Sequence, residues 1–574
     1  MLRISNLVKD YEVRSENIRV LDHIDLTVED GEILGITGRS GSGKSTLLRI
    51  IRGVEPFQEG TIEVDGEVVA PDSGKEGERF LKNATAIHLQ RNFGLWNGPA
   101  IENIIRKLNY LKMGHEALPY NDTSDYDDLF EEAMEYLKLV GLEHKALHST
   151  NLLSGGEKQR VVIARQLAAK PRILLLDEPV TMTGPDTKQE VLDVIKSLRG
   201  KLNIPIIVVS HLPEIHAYLA DRLIFLENGK IAAEGKPTEV LRNFLKDMKP
   251  KEGLPEPANK EVCIRTRSIS KRYSIIRMGE VLNIKDFSLD VHRGEILAFI
   301  GSSGAGKTTL MKLMEGLVRP KSGTVEYLCG EEWVDVTQYS RKRMELRRIM
   351  SIMNQEFSMS PNSTVRDQIR FRLSMKRKGA IEYARDKAKE IGISDETLDS
   401  IYRLPDMPSE ERDTFLREMN LPETIYSELF PSIPVTDVDS YAKPVFEALD
   451  LSLEVLDKTP YQISGGEHVR AFIALSLATS PQYLLLDEPF GDLDPVTLRD
   501  VTNSLKRINE QFNTTIVLVS HHMDFVREVA HRAVLIENGA LVIDGEPTEV
   551  CKELINRSNA PYMEHSIEDL VEGN

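Results

Sequence analysis

Cysteine is scarce in this chain: there are three in 574 residues, Cys263, Cys329 and Cys551, far apart and in no CxxC or other metal-ligand spacing. That spacing weighs against an iron–sulfur cluster built by this chain alone; buried or idle thiols are expected. Long apolar runs are missing too. No stretch approaches the roughly 18 uninterrupted apolar residues that a membrane-spanning helix needs. The opening MLRISNLVKDYEV carries charges where a secretory signal peptide keeps its apolar core, so an intracellular, cytoplasmic location is expected. Positive charge is in short supply: 72 Lys and Arg face 90 Asp and Glu, a formal net charge of −18. Phosphate backbones and anionic membranes are gripped by clustered Lys and Arg, so neither nucleic acid nor a membrane is expected as the main partner. What remains is ordinary globular composition, 41% hydrophobic and 28% charged, in a length that suits two to four domains.

The chain is written twice. GRSGSGKS at Gly38 returns as GSSGAGKT at Gly301, LSGGEKQR at Leu153 as ISGGEHVR at Ile463, LLLDEP at Leu174 as LLLDEP at Leu484, and VVSH at Val208 as LVSH at Leu518. Lys44 to Lys307 is a shift of 263 and Gln90 to Gln355 one of 265, whereas Ser154 to Ser464, Asp177 to Asp487 and His211 to His521 are each shifts of 310. The second copy therefore carries 45 extra residues (310 minus 265) between Gln355 and Ser464. That stretch is polar and helix-rich with several prolines, and a structureless loop of such length is unusual in a compact domain. It reads as an added helical element, about 376–440, with a tolerated surface insertion as the alternative. A Pro-, Gly- and charge-rich linker at 246–261 separates a first domain, 1–245, from a second, 262–559, and an acidic tail follows at 560–574. Short β-rich runs such as IPIIVVS and TTIVLVS alternate with helical stretches, which predicts an α/β fold with a parallel sheet flanked by helices in each half.

Each GxxxxGK[ST] follows an apolar strand, EILGIT or EILAFI. Glycines let backbone N–H groups curl around phosphate at a helix N-terminus, the lysine reaches the β/γ-phosphates and the hydroxyl ligates Mg²⁺. The predicted ATP-binding residues are Gly38, Arg39, Ser40, Gly41, Ser42, Gly43, Lys44, Ser45 and Thr46 in one copy. In the other they are Gly301, Ser302, Ser303, Gly304, Ala305, Gly306, Lys307, Thr308 and Thr309. Each LLLDEP delivers Asp177 or Asp487 toward the metal, and the next carboxylate, Glu178 or Glu488, is placed to polarise a water for attack on the γ-phosphate.

These motifs in this order resemble the ATPase cassette of the ATP-binding-cassette superfamily, over nearly the whole chain except the linker, the insertion and the last 15 or so residues. The resemblance implies two tandem P-loop domains, each with a RecA-like core and a helical subdomain. It also implies nucleotides shared head to tail, Lys44 with Ser464, Gly465 and Gly466, and Lys307 with Ser154, Gly155 and Gly156. A serine, backbone N–H groups and a helix dipole at SGG suit a γ-phosphate. Gln90 and Gln355 match the glutamine that senses Mg²⁺ and the attacking water, His211 and His521 the histidine that contacts the γ-phosphate, and Tyr11 and Tyr273 the aromatic that stacks on adenine. Ser45, Gln90 and Asp177, with Thr308, Gln355 and Asp487, form the implied metal ligands.

The copies differ in ways that matter. EPFGDLDP supplies the family's aspartate as Asp494, where EPVTMTGP has Gly184, and His468 and Val469 stand where the first signature has Lys158 and Gln159. Unequal ATP sites are expected. Such cassettes drive transport through a permease, act on ribosomes, or work in soluble complexes. The acidic charge, the short linker and the lack of a cysteine-rich ferredoxin-like segment weigh against the ribosome class. GITGRSGSGKSTLLRIIRGVEPFQEGTIEVDG, HLQRNFGLWNGPAIENI, DEPVTMTGPDTK and the enlarged second helical region look like the ATP-binding activation component of methyl-coenzyme M reductase in methanogenic archaea. That resemblance implies ATP-dependent reductive activation of the reductase, with electrons and metal clusters coming from redox and iron–sulfur partner proteins and no nickel, haem or iron–sulfur site in this chain. A fused ATPase subunit of a membrane transporter is the alternative. Phe93, Leu95 and Trp96, just after Gln90, are read as facing the partner, with core packing as the alternative.

Overall fold

The computed structural model describes residues 1–563 apart from 14–15, 89–93, 120–123, 181–183, 258–259, 276–278, 355–358, 376–377, 408, 431–437, 478, 491–492 and 559. The chain divides into two compact units. The first comprises Met1–Met248 and takes in residues 493–496, 558 and 560–563; the second comprises Lys249–Gly491 and Thr497–Arg557.

In the first unit a six-stranded sheet runs, edge to edge, through Lys230–Gly235, Arg222–Glu227, Ile33–Thr37, Ile206–Val209, Ile173–Asp177 and Thr85–His88. Five of the strands are parallel, and only the edge strand Lys230–Gly235 is antiparallel to its neighbour. Parallel strands covered on both faces read as unbroken apolar runs, and ILGIT is buried at all five positions. Successive side chains then point to opposite layers. Leu175, Ile207 and Ile36 join Leu47, Ile50 and Ile51 of the helix Lys44–Ile51 in a core shared with a four-stranded sheet that includes Leu2–Val13 and Glu16–Val28. Leu174, Leu176, Ile206 and Val208 face the opposite layer, where helices Ala100–Met113, Ser124–Leu139, Gly155–Leu167 and Pro185–Lys201 pack. Residues 560–563, placed at the head of the expected tail, belong to this layer: Ala560 and Tyr562 are buried in it, and the Tyr562 N–H donates to Gln189 Oε1 at 3.1 Å.

The second unit repeats the plan. Its six-stranded sheet orders Met350–Met353, Tyr483–Asp487, Thr515–Val519, Ile296–Ile300, Arg532–Glu537 and Ala540–Gly545. Helix Lys307–Met314 packs on it through Leu310, Met311, Leu313 and Met314. Val365–Met375, Val438–Ala448 and Gly465–Leu477 stand where the first unit has Ala100–Met113, Ser124–Leu139 and Gly155–Leu167.

Between Val365–Met375 and Val438–Ala448 lie four helices with no counterpart in the first unit: Lys378–Glu390, Asp395–Ile401, Ser409–Glu418 and Ile425–Leu429. They are not loose decoration. Ile381, Ala384, Leu398, Ile401, Leu416 and Leu429 form a core of their own, and Met344 of helix Arg341–Arg348 enters it. Three charged groups are sealed against this core as well: Asp399 is fully buried, and both Arg343 and Arg347 pair with it.

Candidate functional site

Both phosphate loops leave a buried central strand and enter a helix. Gly38 and Gly43 (φ 151° and 103°) and Gly301 and Gly306 (φ 149° and 103°) hold conformations that side chains resist. At Gly38 a Cβ would stand 2.3 Å from the Leu226 carbonyl oxygen, and at Gly301 one would stand 2.2 Å from that of Ile536. The lysines curl back over their loops. Lys44 Nζ donates to the carbonyls of Gly38 (2.7 Å) and Arg39 (2.8 Å), and Lys307 Nζ to those of Gly301 (2.9 Å) and Ser302 (2.8 Å). Burial pushes the Lys44 ammonium down to about 8 against the pull of Glu178, Asp494 and Asp177, and the Lys307 ammonium to about 8 against Glu488 and Asp487. A buried, underpaired cation at the mouth of a glycine loop is what an incoming polyphosphate would neutralise. Ser45 and Thr308, the next residues, are exposed, and Thr308 Oγ1 lies 3.5 Å from Asp487 Oδ1.

At the strand ends the acids follow. Asp177 closes Ile173–Asp177 and Asp487 closes Tyr483–Asp487. Burial raises both carboxyls, Asp487 to about 6 with a further push from Glu488. A hydroxyl beside a buried carboxylate gives hard oxygen donors of the kind Mg²⁺ takes, so Thr308 with Asp487 fits the implied metal, and Ser45 and Asp177 hold the matching places in the first unit. Glu178 and Glu488 both sit at φ 50°, a left-handed conformation rare for glutamate and common where function over-determines the backbone. Glu178 is 3% exposed, and burial together with Asp177 lifts its carboxyl to about 8. His211 Nε2 lies 3.4 Å from Glu178 Oε1, and His521 Nε2 lies 2.7 Å from Glu488 Oε1. In each unit lysine, aspartate, glutamate and histidine thus converge at the carboxyl ends of the central strands, the usual place for a ligand in open α/β sheets.

Two residues missed by motif reading belong to this cluster. Ser210, fully buried, donates Oγ–H to Glu178 Oε2 at 3.1 Å, and its oxygen accepts the Leu212 N–H at 3.2 Å. Ser520 accepts the His522 N–H at 3.1 Å. The signal was the serine in both VVSH and LVSH, overshadowed by the histidine. Asp494, 1% exposed, is grouped with the first unit and bears on Lys44. Gly184, at the equivalent place in the first copy, begins helix Pro185–Lys201 with no side chain to offer.

The signature serines cap helices. Ser154 Oγ accepts the Glu157 N–H (3.2 Å) while Glu157 Oε2 accepts the Ser154 N–H (2.8 Å), a reciprocal box, and Ser464 with Glu467 repeats it (3.3 and 2.8 Å). Ser154, Gly155, Ser464 and Gly465 are exposed, Gly466 is half-buried and Gly156 is buried. Gly156 lies so close to helix Pro185–Lys201 that a Cβ would stand 2.1 Å from Thr187 Cγ2. Tyr11 is half-buried and Tyr273 is 41% exposed, each with a lysine ammonium, Lys9 or Lys271, 4.5 and 5.3 Å from its ring centre. Gln90, Gln355 and Phe93 lie outside the described residues. Trp96 is half exposed, its Nε1–H bonds Glu116 Oε2 at 3.0 Å, and Arg106 stacks 4.9 Å from its ring.

The ABC transporter family model matches residues 21–181 and 284–491, once in each repeat. The chain belongs to the ABC transporter family. It carries two cassettes in tandem and is an ATPase of that family, whose members bind ATP with Mg²⁺. An uncharacterised ABC transporter ATP-binding protein of Methanocaldococcus jannaschii is 46% identical to it over 572 residues, 99% of each chain. A methionine import ATP-binding protein of Listeria innocua is 35% identical over 243 residues, 42% of this chain and 68% of that protein. Among solved structures, the archaeal ribosome recycling factor aABCE1 in complex with the ribosomal stalk protein aP1 aligns with a TM-score of 0.57, covering 96% of this chain and 92% of that one. At 18% identity that likeness is one of fold. Among the described residues no helix is long and apolar enough to cross a membrane.

Proposed function

We propose that this tandem cassette couples MgATP binding and hydrolysis to conformational work in the reductive activation of methyl-coenzyme M reductase, in the company of redox and iron–sulfur proteins that supply the electrons. The observation that carries the reading is the particular wording of the chain. The loop DEPVTMTGPDTK, the segment HLQRNFGLWNGPAIENI and an enlarged second helical region resemble the ATP-binding activation component of that reductase. Within the reading, Lys44 and Lys307 bind phosphate, Glu178 and Glu488 polarise the attacking water, and His211 and His521 hold the γ-phosphate. By the same resemblance, Ser464, Gly465 and Gly466 serve the nucleotide of Lys44, and Ser154, Gly155 and Gly156 that of Lys307. Glu178 held at about 8 is mostly protonated at neutral pH; a nearby cation would favour its anionic, water-polarising form.

The test is capture of the intact tagged protein from native lysate of its source, with and without ATP. The reductase or a soluble redox complex is the expected catch, and Trp96→Ala should lose it while basal hydrolysis continues. Recovery of an integral membrane protein instead would replace this reading with the transporter one, which the 35% identity to a methionine import ATP-binding protein favours.

A further inference from the structure

The two phosphate-loop helices differ in what holds their C-terminal ends. With the loop lysines aligned, Arg49, Arg52, Gly53 and Pro56 of the first unit stand against Lys312, Glu315, Gly316 and Arg319 of the second. Arg52 ends its helix by giving Nη1–H to the carbonyls of Lys82 and Thr85 (2.6 Å for the latter) and to Thr85 Oγ1 (3.1 Å), which ties the helix to the strand Thr85–His88. Glu315 reverses that charge. It is 1% exposed, neither carboxylate oxygen has a hydrogen-bond partner among the described residues, and an acid at this negative end of a helix is unfavourable.

What stands there instead comes from the added helices. Arg403, just past Asp395–Ile401, donates Nη1–H to the Gly316 carbonyl at 3.1 Å and offsets the charge of Glu315. Lys312 Nζ pairs with Glu411 Oε1 at 2.6 Å, and Arg319 pairs with Glu396. On the far side Asp399, four residues before Arg403, is anchored by Arg343 and Arg347. Three points of the insertion therefore grip one helix end, and the helix has only eight residues. At about 1.5 Å per residue its two ends are about 12 Å apart, so a shift or tilt at one end displaces the loop at the other.

We propose that the four added helices form a clamp on the second phosphate-loop helix, and that Glu396, Arg403 and Glu411 are positioning residues that set how tightly that loop holds nucleotide phosphate. A partner pressing on the added helices then has a mechanical route to the second phosphate loop through contacts that the first phosphate-loop helix lacks. The inference rests on Lys307 being a nucleotide ligand. The test uses full-length protein carrying Lys44→Ala, so that the second site alone is read, and titrates a fluorescent ATP analogue with Mg²⁺. Arg403→Ala and Glu396→Lys should each weaken binding about threefold or more, while Arg403→Lys and the swap Arg319→Glu/Glu396→Lys restore it. The same changes placed on Lys307→Ala, which reads the first site, should leave affinity unchanged. Equal affinity with and without the clamp changes in the Lys44→Ala protein, or equal losses in both backgrounds, overturns the clamp. Absence of binding in Lys44→Ala with the clamp intact would remove the nucleotide reading of Lys307, and the clamp with it.

Discussion

Glu315 shows how one residue can work against the element it sits in. A glutamate that ends a helix, loses its water and finds no donor among the described residues is held at about 8 by burial first and by Asp487 next, with Arg403 and Lys312 opposing. An unfolded glutamate titrates near 4.5. Between those values the unfolded chain has released its proton and the folded one has not, so stability falls as pH rises from about 4.5 through about 8. Glu315→Gln removes this dependence. It should leave the second unit within about 1 kcal/mol of wild-type stability at pH 5 and raise it by roughly 5 kcal/mol at pH 9. Chemical denaturation of the two proteins across that range reads the difference; a constant gap at every pH would show that charge is not the cause. The phosphate-loop lysines are the converse case, cations brought down to about 8 by burial and waiting for an anion.

At the scale of elements, short motifs act by fixing helix ends. SGGE works twice as a capping box, in which serine satisfies a glutamate N–H and glutamate returns the bond. Ser154→Ala should destabilise helix Gly155–Leu167 by about 1 kcal/mol, and Ser154→Gly by only a few tenths. Native-state hydrogen exchange of that helix checks it, with Gly465–Leu477 of the same molecule as the internal reference. A drop in protection that is equal in both helices would point to a global effect and away from the cap. The added helices make a different kind of element. They have their own apolar core and a buried Asp399 between two arginines, so they are rigid enough to transmit a push.

Across the whole molecule the two cassettes are built alike and tuned apart. Glu178 is sealed, bonded by Ser210 and 3.4 Å from His211, whereas Glu488 is half-buried and 2.7 Å from His521. Asp494 has Gly184 as its opposite number, and the added helices serve one unit alone. Unequal turnover is the expected result. In single-turnover hydrolysis, Glu178→Gln and Glu488→Gln should each slow the step by about 10²–10⁴, in unequal measure. Identical losses would remove the asymmetry.

How much of this was legible beforehand follows from range. The repeat, the glycine loops, the acid pairs and the caps were readable because each is a local matter. A glycine is needed where the backbone turns left-handed, a buried parallel strand must be apolar, and a capping serine lies three residues from its glutamate. The added helices announced themselves by the 45-residue jump in the offsets. Nothing local revealed that Ser210 would bond Glu178, that Glu178 would lose its water, or that Arg403 would reach Gly316, 87 residues away in sequence. Desolvation and long-range pairing depend on which surfaces meet. That is settled only when the chain is packed, and so the chemistry was written in the sequence while its tuning was left to the tertiary structure.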